Sequence, residues 1–187
     1  MLGDLNMDFK EKYKKTINKY QGIIVTVRVD KAEMPNGAEV LREVVEHPGG
    51  VAVLAVDGDG YAYCVRQYRY AYSEVLLEAP AGKLEKGEDP RMCAERELSE
   101  ETGIMAKDIC SLGQIYPSPG FSSEVLHLYL ARELTFKEAH PDENEIVQTE
   151  KIHFDKLEEM ALSGEIKDAK TVIAVCRARK YIGRGGM

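Results

Sequence analysis

Cysteine is scarce in this chain, and no two cysteines lie close in sequence. Cys64, Cys93, Cys110 and Cys176 are scattered through apolar patterns, with no zinc-like spacing among them. Buried free thiols in a reducing cytosol are the expectation. Long hydrophobic runs are missing as well. No stretch approaches membrane-spanning length, and the N-terminus has no apolar signal-peptide core. A soluble, cytoplasmic protein without a membrane partner is expected. Positive charge is also short, with 25 Lys and Arg against 32 Asp and Glu and a net charge of −7. That balance makes nucleic acid a poor partner. It still admits a small anionic substrate, because a bound metal and local arginines change the sign at a site. There is no internal repeat and no low-complexity tract.

What is present suffices for a sizeable core, since 44% of residues are hydrophobic. At 187 residues one domain is expected, with an N-terminal appendage. Residues 9–20 are basic and aromatic and precede or begin the first strand. Residues 22–34 alternate as a strand does, MPNG at 34–37 is a turn, and 38–47 is a returning strand. Pro48-Gly49-Gly50 separates this hairpin from GVAVLAV, which pairs across Asp57-Gly58-Asp59-Gly60 with YAYCVRQYRY. The DGDG turn lacks the later ligands and terminal glutamate of a calcium loop, so it is a hairpin turn. Strands are expected near 109–116, 124–132 and 151–154. Residues 137–145 are an exposed polar loop, and 155–163 a short helix. A last helix, 168–182, should place Val172, Ile173, Val175, Cys176 and Tyr181 on its apolar side. The sum is an α/β fold, a mixed sheet flanked by helices.

Residues 82–104, GKLEKGEDPRMCAERELSEETGI, carry the chemistry. Pro90 suits a first helical turn, with Glu88 and Asp89 at the positive end of the helix dipole. The helix should run from about Pro90 to Thr102, and Gly103 is its left-handed stop. Met92, Leu98 and Ile104 supply apolar positions. Glu97 and Glu101, four apart, share one helix face with Glu100 alongside, and like charges at that spacing repel. Such a cluster suits a hard cation with oxygen ligands, Mg²⁺ first. Arg96 beside the acids can hold them in orientation.

The same segment resembles, without mismatch, the signature of the Nudix hydrolases: Gly82, five residues, Glu88, seven residues, Arg96-Glu97-Leu98, one residue, Glu100-Glu101, one residue, Gly103-Ile104. A chance match is well under about one in a million per starting position. The resemblance implies a Nudix α/β/α sandwich with mixed sheet, preceded by an N-terminal antiparallel hairpin. It divides the chain into an extension and dimerisation hairpin at 1–47 and a Nudix hydrolase domain at 48–187. It also implies metal-dependent hydrolysis of a nucleoside diphosphate linked to another group, with Mn²⁺ or Zn²⁺ as alternatives to Mg²⁺. LLEAPAGKLE before the box, YPSPGFSSE after it, and VLREVVEHPGGVAVL and VRQYR upstream are similar to the ADP-ribose pyrophosphatase branch. That branch implies a nucleotide-sugar substrate, ADP-ribose, cleaved to AMP and ribose 5-phosphate. ADP-glucose or a dinucleoside polyphosphate stays open as an alternative substrate.

Residue by residue, the resemblance implies the Ala81 carbonyl, Glu97 and Glu101 as metal ligands, with Glu100 binding a further ion. Glu88 supports the box loop. Arg66 is a candidate for the phosphates, as is Arg69, and Glu78, Pro119 and Gly120 are substrate-binding candidates. Glu124 resembles the residue that takes the terminal ribose hydroxyls. Arg42 resembles one that reaches the substrate of a neighbouring subunit, in a homodimer with exchanged N-terminal strands, where tyrosines near 13–20 stack on adenine. The general base is expected in the loop, as Glu143 or Glu145, with Glu100 next in line. The competing class, a Nudix-fold ligand sensor, usually loses box carboxylates, and here all are present.

Overall fold

GVAVLAV has no polar side chain, and only a strand buried on both faces tolerates that composition. It forms β4 (Gly50–Val56), buried along its whole length at the centre of a seven-stranded sheet. The structure, a computed structural model, describes residues 8–140 and 146–183. Two units emerge, Met1–His47 with Ser118–Glu124, and Pro48–Pro117 with Val125–Met187.

The larger unit holds β4, β5 (Tyr61–Arg69), β6 (Glu74–Glu78), β7 (Ala81–Lys83), β8 (Ile104–Ile115), β9 (Leu126–Phe136) and β10 (Val147–His153). Its helices are α1 (Pro90–Thr102), α2 (Phe154–Ser163) and α3 (Ala169–Ala178), the last running into a 3-10 turn. The strand order is β10-β5-β4-β9-β8, with only β4 and β9 parallel. β4 and β5 pair only at Ala55–Tyr63 and Val56–Ala62, then part. Beyond that point β5 takes β6 as partner and β4 takes β7. The Ala79–Pro80 link crosses the opening between them. The side-chain period of two sends Val51, Val53 and Ala55 to the α1 side, with Cys93, Ala94 and Leu98. Ala52, Leu54 and Val56 point to the α2 and α3 side, with Leu157 and Val175. This is the expected α/β/α arrangement.

The smaller unit is an antiparallel sheet of β1 (Lys12–Gln21), β2 (Thr26–Glu33) and β3 (Glu39–Glu46), in that order. Residues 118–124 lie along β3 through Val45 N to Phe121 O (2.7 Å) and Ser123 N to Val45 O (2.9 Å). Asp30, 5% exposed, takes Thr16 Oγ1 (2.7 Å) and Arg28 Nε (2.8 Å).

Several expectations need correction. β1 is a full strand; all its residues are exposed, so it carries no burial rhythm and is held by main-chain pairing with β2. β8 starts at the box itself and β10 four residues earlier than the sequence suggests. Met92 is 59% exposed, because α1 buries Cys93, Ala94, Leu98 and Glu101 instead. On α3 the buried face is Thr171, Ala174, Val175 and Ala178, at i, i+3, i+4 and i+7. Cys176 is exposed, so not every thiol is buried, and Tyr181 lies in the 3-10 turn.

Gly103 ends α1 at φ 69°, its N–H on Ser99 O at 2.9 Å. A Cβ there would lie 2.2 Å from the Lys137 carbonyl oxygen. At Gly164, φ 83°, a Cβ would meet nothing within 4 Å. Gly164→Ala should therefore lose about 1–2 kcal/mol from the left-handed backbone alone. Gly103→Ala should lose distinctly more in urea denaturation, and equal losses would show that the Lys137 contact has no energetic weight.

Candidate active site

The site begins with a close approach of strand to helix. A Cβ at Gly82 would fall 1.8 Å from Glu97 Cδ and 1.9 Å from its Oε1. The carboxylate occupies the place of the missing side chain, so only glycine fits at 82. One residue earlier, Ala81 N–H donates to Glu101 Oε2 at 3.1 Å. Glu101 is 5% exposed. The backbone of β7 thus meets Glu101 at Ala81 and Glu97 at Gly82.

Arg96 gathers the remaining acids. Its Nε and Nη2 grip Glu88 at 2.9 and 3.0 Å, and Nη1 donates to Glu97 Oε1 (2.8 Å) and Glu100 Oε2 (3.0 Å). Glu88 also accepts from Glu85 N–H at 3.0 Å, closing the box loop. The Arg96 fork, and then that backbone bond, pull the Glu88 carboxyl down to about 2. Asp89 caps α1 by accepting from Arg91 N and Met92 N. Cys93, behind the loop, has its thiol pushed up to about 12 by burial.

Behind β7 lies a second charged group. Glu78, 1% exposed, accepts from Arg69 Nε and Nη2, both at 2.7 Å, and from Lys170 Nζ. Burial alone would raise the Glu78 pKa; the Arg69 and Lys170 contacts outweigh it and hold it below the usual carboxylate value. The charge of Glu101 adds to the stabilisation of the Arg69 cation.

The structure therefore brings together Ala81, Arg96, Glu97, Glu100 and Glu101 of the expected residues. Glu78 lies behind them, closed off from solvent. Arg66 points to β10, its Nε on Glu150 Oε2 at 2.5 Å. Pro119, Gly120 and Glu124 belong to the smaller unit, where Glu124 Oε1 lies 3.4 Å from His47 Nδ1. Arg42, on β3, forks onto Glu11 at 3.0 and 2.6 Å. Glu143 and Glu145 lie outside the described residues. Sequence reasoning missed Lys170, Asp168 and Thr171, which sit far from the box in sequence and match no local motif.

A family model described as NUDIX domain matches residues 46–175. The chain belongs to the Nudix family. It is 44% identical over 169 residues to the methanol dehydrogenase activator of Bacillus methanolicus, covering 89% of this chain and 91% of that protein. It is 43% identical over 166 residues to the ADP-ribose pyrophosphatase of Bacillus subtilis, covering 86% and 90%. A solved structure titled ADP compounds hydrolase superposes with TM-score 0.78 over 94% of this chain and 96% of that one, at 22% identity, and supports the fold.

Among the described residues no three His, Cys, Asp or Glu side chains converge closely enough to hold a metal by themselves. What this Nudix site offers is two carboxylates, Glu97 and Glu101, seated on the backbone of Gly82 and Ala81. Their donors are oxygens only, the kind that a hard divalent cation takes.

The Glu88 fork gives a pH signature. Its folded pKa of about 2 lies below the usual 4.5. The unfolded chain therefore takes up the proton first as pH falls. The stabilisation is full above pH 4.5 and is lost as pH drops toward 2. Glu88→Gln should show a flatter dependence of Tm on pH across that window than wild type. Parallel curves would mean that Arg96 does not favour the charged form of Glu88.

Proposed function

We propose that this Nudix protein hydrolyses the pyrophosphate bond of ADP-ribose, giving AMP and ribose 5-phosphate, with Mg²⁺ as the first-choice cation. The observation that carries the reading is the seating of Glu97 and Glu101 on β7. The extensive similarity to a relative named ADP-ribose pyrophosphatase supports the substrate. When bound, the cation neutralises the diphosphate and lowers the pKa of a water. The chain's own residues do the rest. Glu97 and Glu101 with Ala81 hold the cation, and Arg96 bridges Glu97 and Glu100 through one nitrogen, offsetting their repulsion. Arg69, beside Glu101 in charge, and Arg66 are the candidates for the phosphates. Water displaces at phosphorus, so one P–O bond forms as the anhydride P–O bond breaks, and a glutamate takes the proton.

The base is assigned to Glu143 or Glu145, with Glu100 next. The backbone leading to that segment is tied to α1 and its cap by Lys137 N to Gly103 O (2.8 Å) and His140 N to Glu100 O (3.1 Å). Glu124, Pro119, Gly120 and Arg42 enter as substrate contacts through the family resemblance alone.

The deciding experiment takes EDTA-treated protein and a panel of ADP-ribose, ADP-glucose and dinucleoside polyphosphates with Mg²⁺, Mn²⁺ or Zn²⁺. ADP-ribose should be the best substrate and activity should return only with metal. Glu97→Gln and Glu101→Gln should each lower turnover by about 10²-fold. Glu→Gln at the base should lower kcat by about 10²–10⁴ without changing metal affinity. Turnover without metal, or box variants with normal activity at limiting Mg²⁺, would sink the reading.

A second reading comes from the relative named methanol dehydrogenase activator. That name describes an effect on another enzyme, so one arm assays a methanol dehydrogenase with and without this protein. Activation together with an inactive ADP-ribose arm would favour that reading.

The proposal includes a homodimer in which residues 1–47 form the dimerisation element. The three-stranded sheet leaves Tyr13, Ile17, Tyr20 and Leu41 exposed, and the β1–β2 connection adds Ile23 and Ile24; an open sheet with apolar faces is normally covered. A second copy of the chain is the proposed cover, and Tyr13 and Tyr20 the proposed partners for adenine. Light scattering at micromolar concentration should report about twice the 20.9 kDa of one chain, and a monomer would reject the dimer.

A further inference from the structure

Three successive residues before the box are each held by a different element. Ala79 N–H donates to Thr171 Oγ1 of α3 at 2.7 Å. The Pro80 carbonyl accepts from Val53 N–H of β4 at 2.8 Å. Ala81 N–H donates to Glu101 of α1 at 3.1 Å. The first hold is the elaborate one. Thr171 is fully buried, and its hydroxyl and N–H donate to Asp168 Oδ2, at 2.5 and 3.0 Å. Lys170 Nζ bridges Asp168 Oδ1 (3.0 Å) to Glu78, the residue before Ala79, with its own side chain only 12% exposed. The contacts close a ring: Ala79 to Thr171, to Asp168, to Lys170, to Glu78, and back along the chain to Ala79.

Burying an ammonium and a carboxylate is a poor route to stability, since a well-packed apolar pair often does as well. What a closed polar ring does provide is a fixed position, because each bond has a direction and each buried group must keep its partner. Here the fixed position is the backbone just before the residues that seat Glu101 and Glu97.

We propose that Lys170 and Thr171 are positioning residues, which lock the Ala79–Gly82 segment from the α3 side and thereby set where Glu97 and Glu101 rest. This rests on the reading of those two glutamates as the working carboxylates. α3 then belongs to the site although none of its residues lies in the signature. Lys170 also shares Glu78 with Arg69, so it sets the direction of that guanidinium as well.

The test uses the full-length protein with Lys170→Met, Thr171→Val and Thr171→Ser. Val175→Ala is the control, a core truncation on the same buried face of the helix that removes no polar group of the ring. Amide hydrogen exchange is read in metal-free protein, and kcat and KM for ADP-ribose with Mg²⁺. Lys170→Met and Thr171→Val should speed exchange at Ala79 and Ala81 by about tenfold or more, as expected of a locally loosened segment. They should lower kcat by about 10–100-fold, as loss of a ligand's support does, with KM nearly unchanged. Thr171→Ser, which keeps the hydroxyl, should stay close to wild type in both. Val175→Ala should lose stability and change neither. The proposal is overturned if Lys170→Met and Thr171→Val behave as Val175→Ala does. Should Lys170→Met not fold, the Thr171→Val and Thr171→Ser pair decides. If wild type does not cleave ADP-ribose, the substrate reading fails, and the exchange data alone judge the ring.

Discussion

Glutamates at 97, 100 and 101 crowd one side of α1, and like charges on a helix repel. Much of the larger unit can be understood as an answer to that repulsion. Arg96 takes two of the three and Glu88 besides, so a single guanidinium spreads over three carboxylates. Glu101 turns to the Ala81 N–H instead. Both solutions require β7 to pass very close to the helix. That passage is possible because position 82 has no side chain and Glu97 occupies the space. The signature's first glycine, its arginine and its last glutamate are thus parts of one packing problem.

The sheet supplies the other half. β4 and β5 separate after two residue pairs, and β7 can reach α1 only because β4 is left free to pair with it. The Ala79–Pro80 link fills the gap between the diverging strands, where no regular ladder satisfies its backbone. Buried backbone groups need partners. Thr171 and Val53 provide them, one from a helix and one from a strand.

The box was legible because its spacing is strict. α1 runs from Pro90 to Thr102 and Gly103 is left-handed, as the cap residues alone indicate. The parallel pairing of β4 with β9 leaves no trace in either strand's composition. α3 was legible in part: Val175 is buried and Val172 and Ile173 pack against the core, while the fully packed face adds Thr171, Ala174 and Ala178, small enough to lie close to the sheet, and leaves Cys176 outside. β1 was less legible, because an exposed strand has no alternation to detect. Glu78 shows what sequence cannot distinguish. A glutamate beside the box resembles a substrate contact, and only the fold reveals Arg69 and Lys170 closing over it. Those partners come from either side of the box, one of them 92 positions away.

The two backbone bonds that tie Lys137 to Gly103 and His140 to Glu100 fix one end of the following segment to the box helix. Its other end is fixed by β10, which pairs with β5 from Val147 onward. Residues up to His140 and from Val147 onward are thus each anchored to an element of the framework that seats the carboxylates, one to the box helix and the other to the strand whose partner β4 pairs with β7.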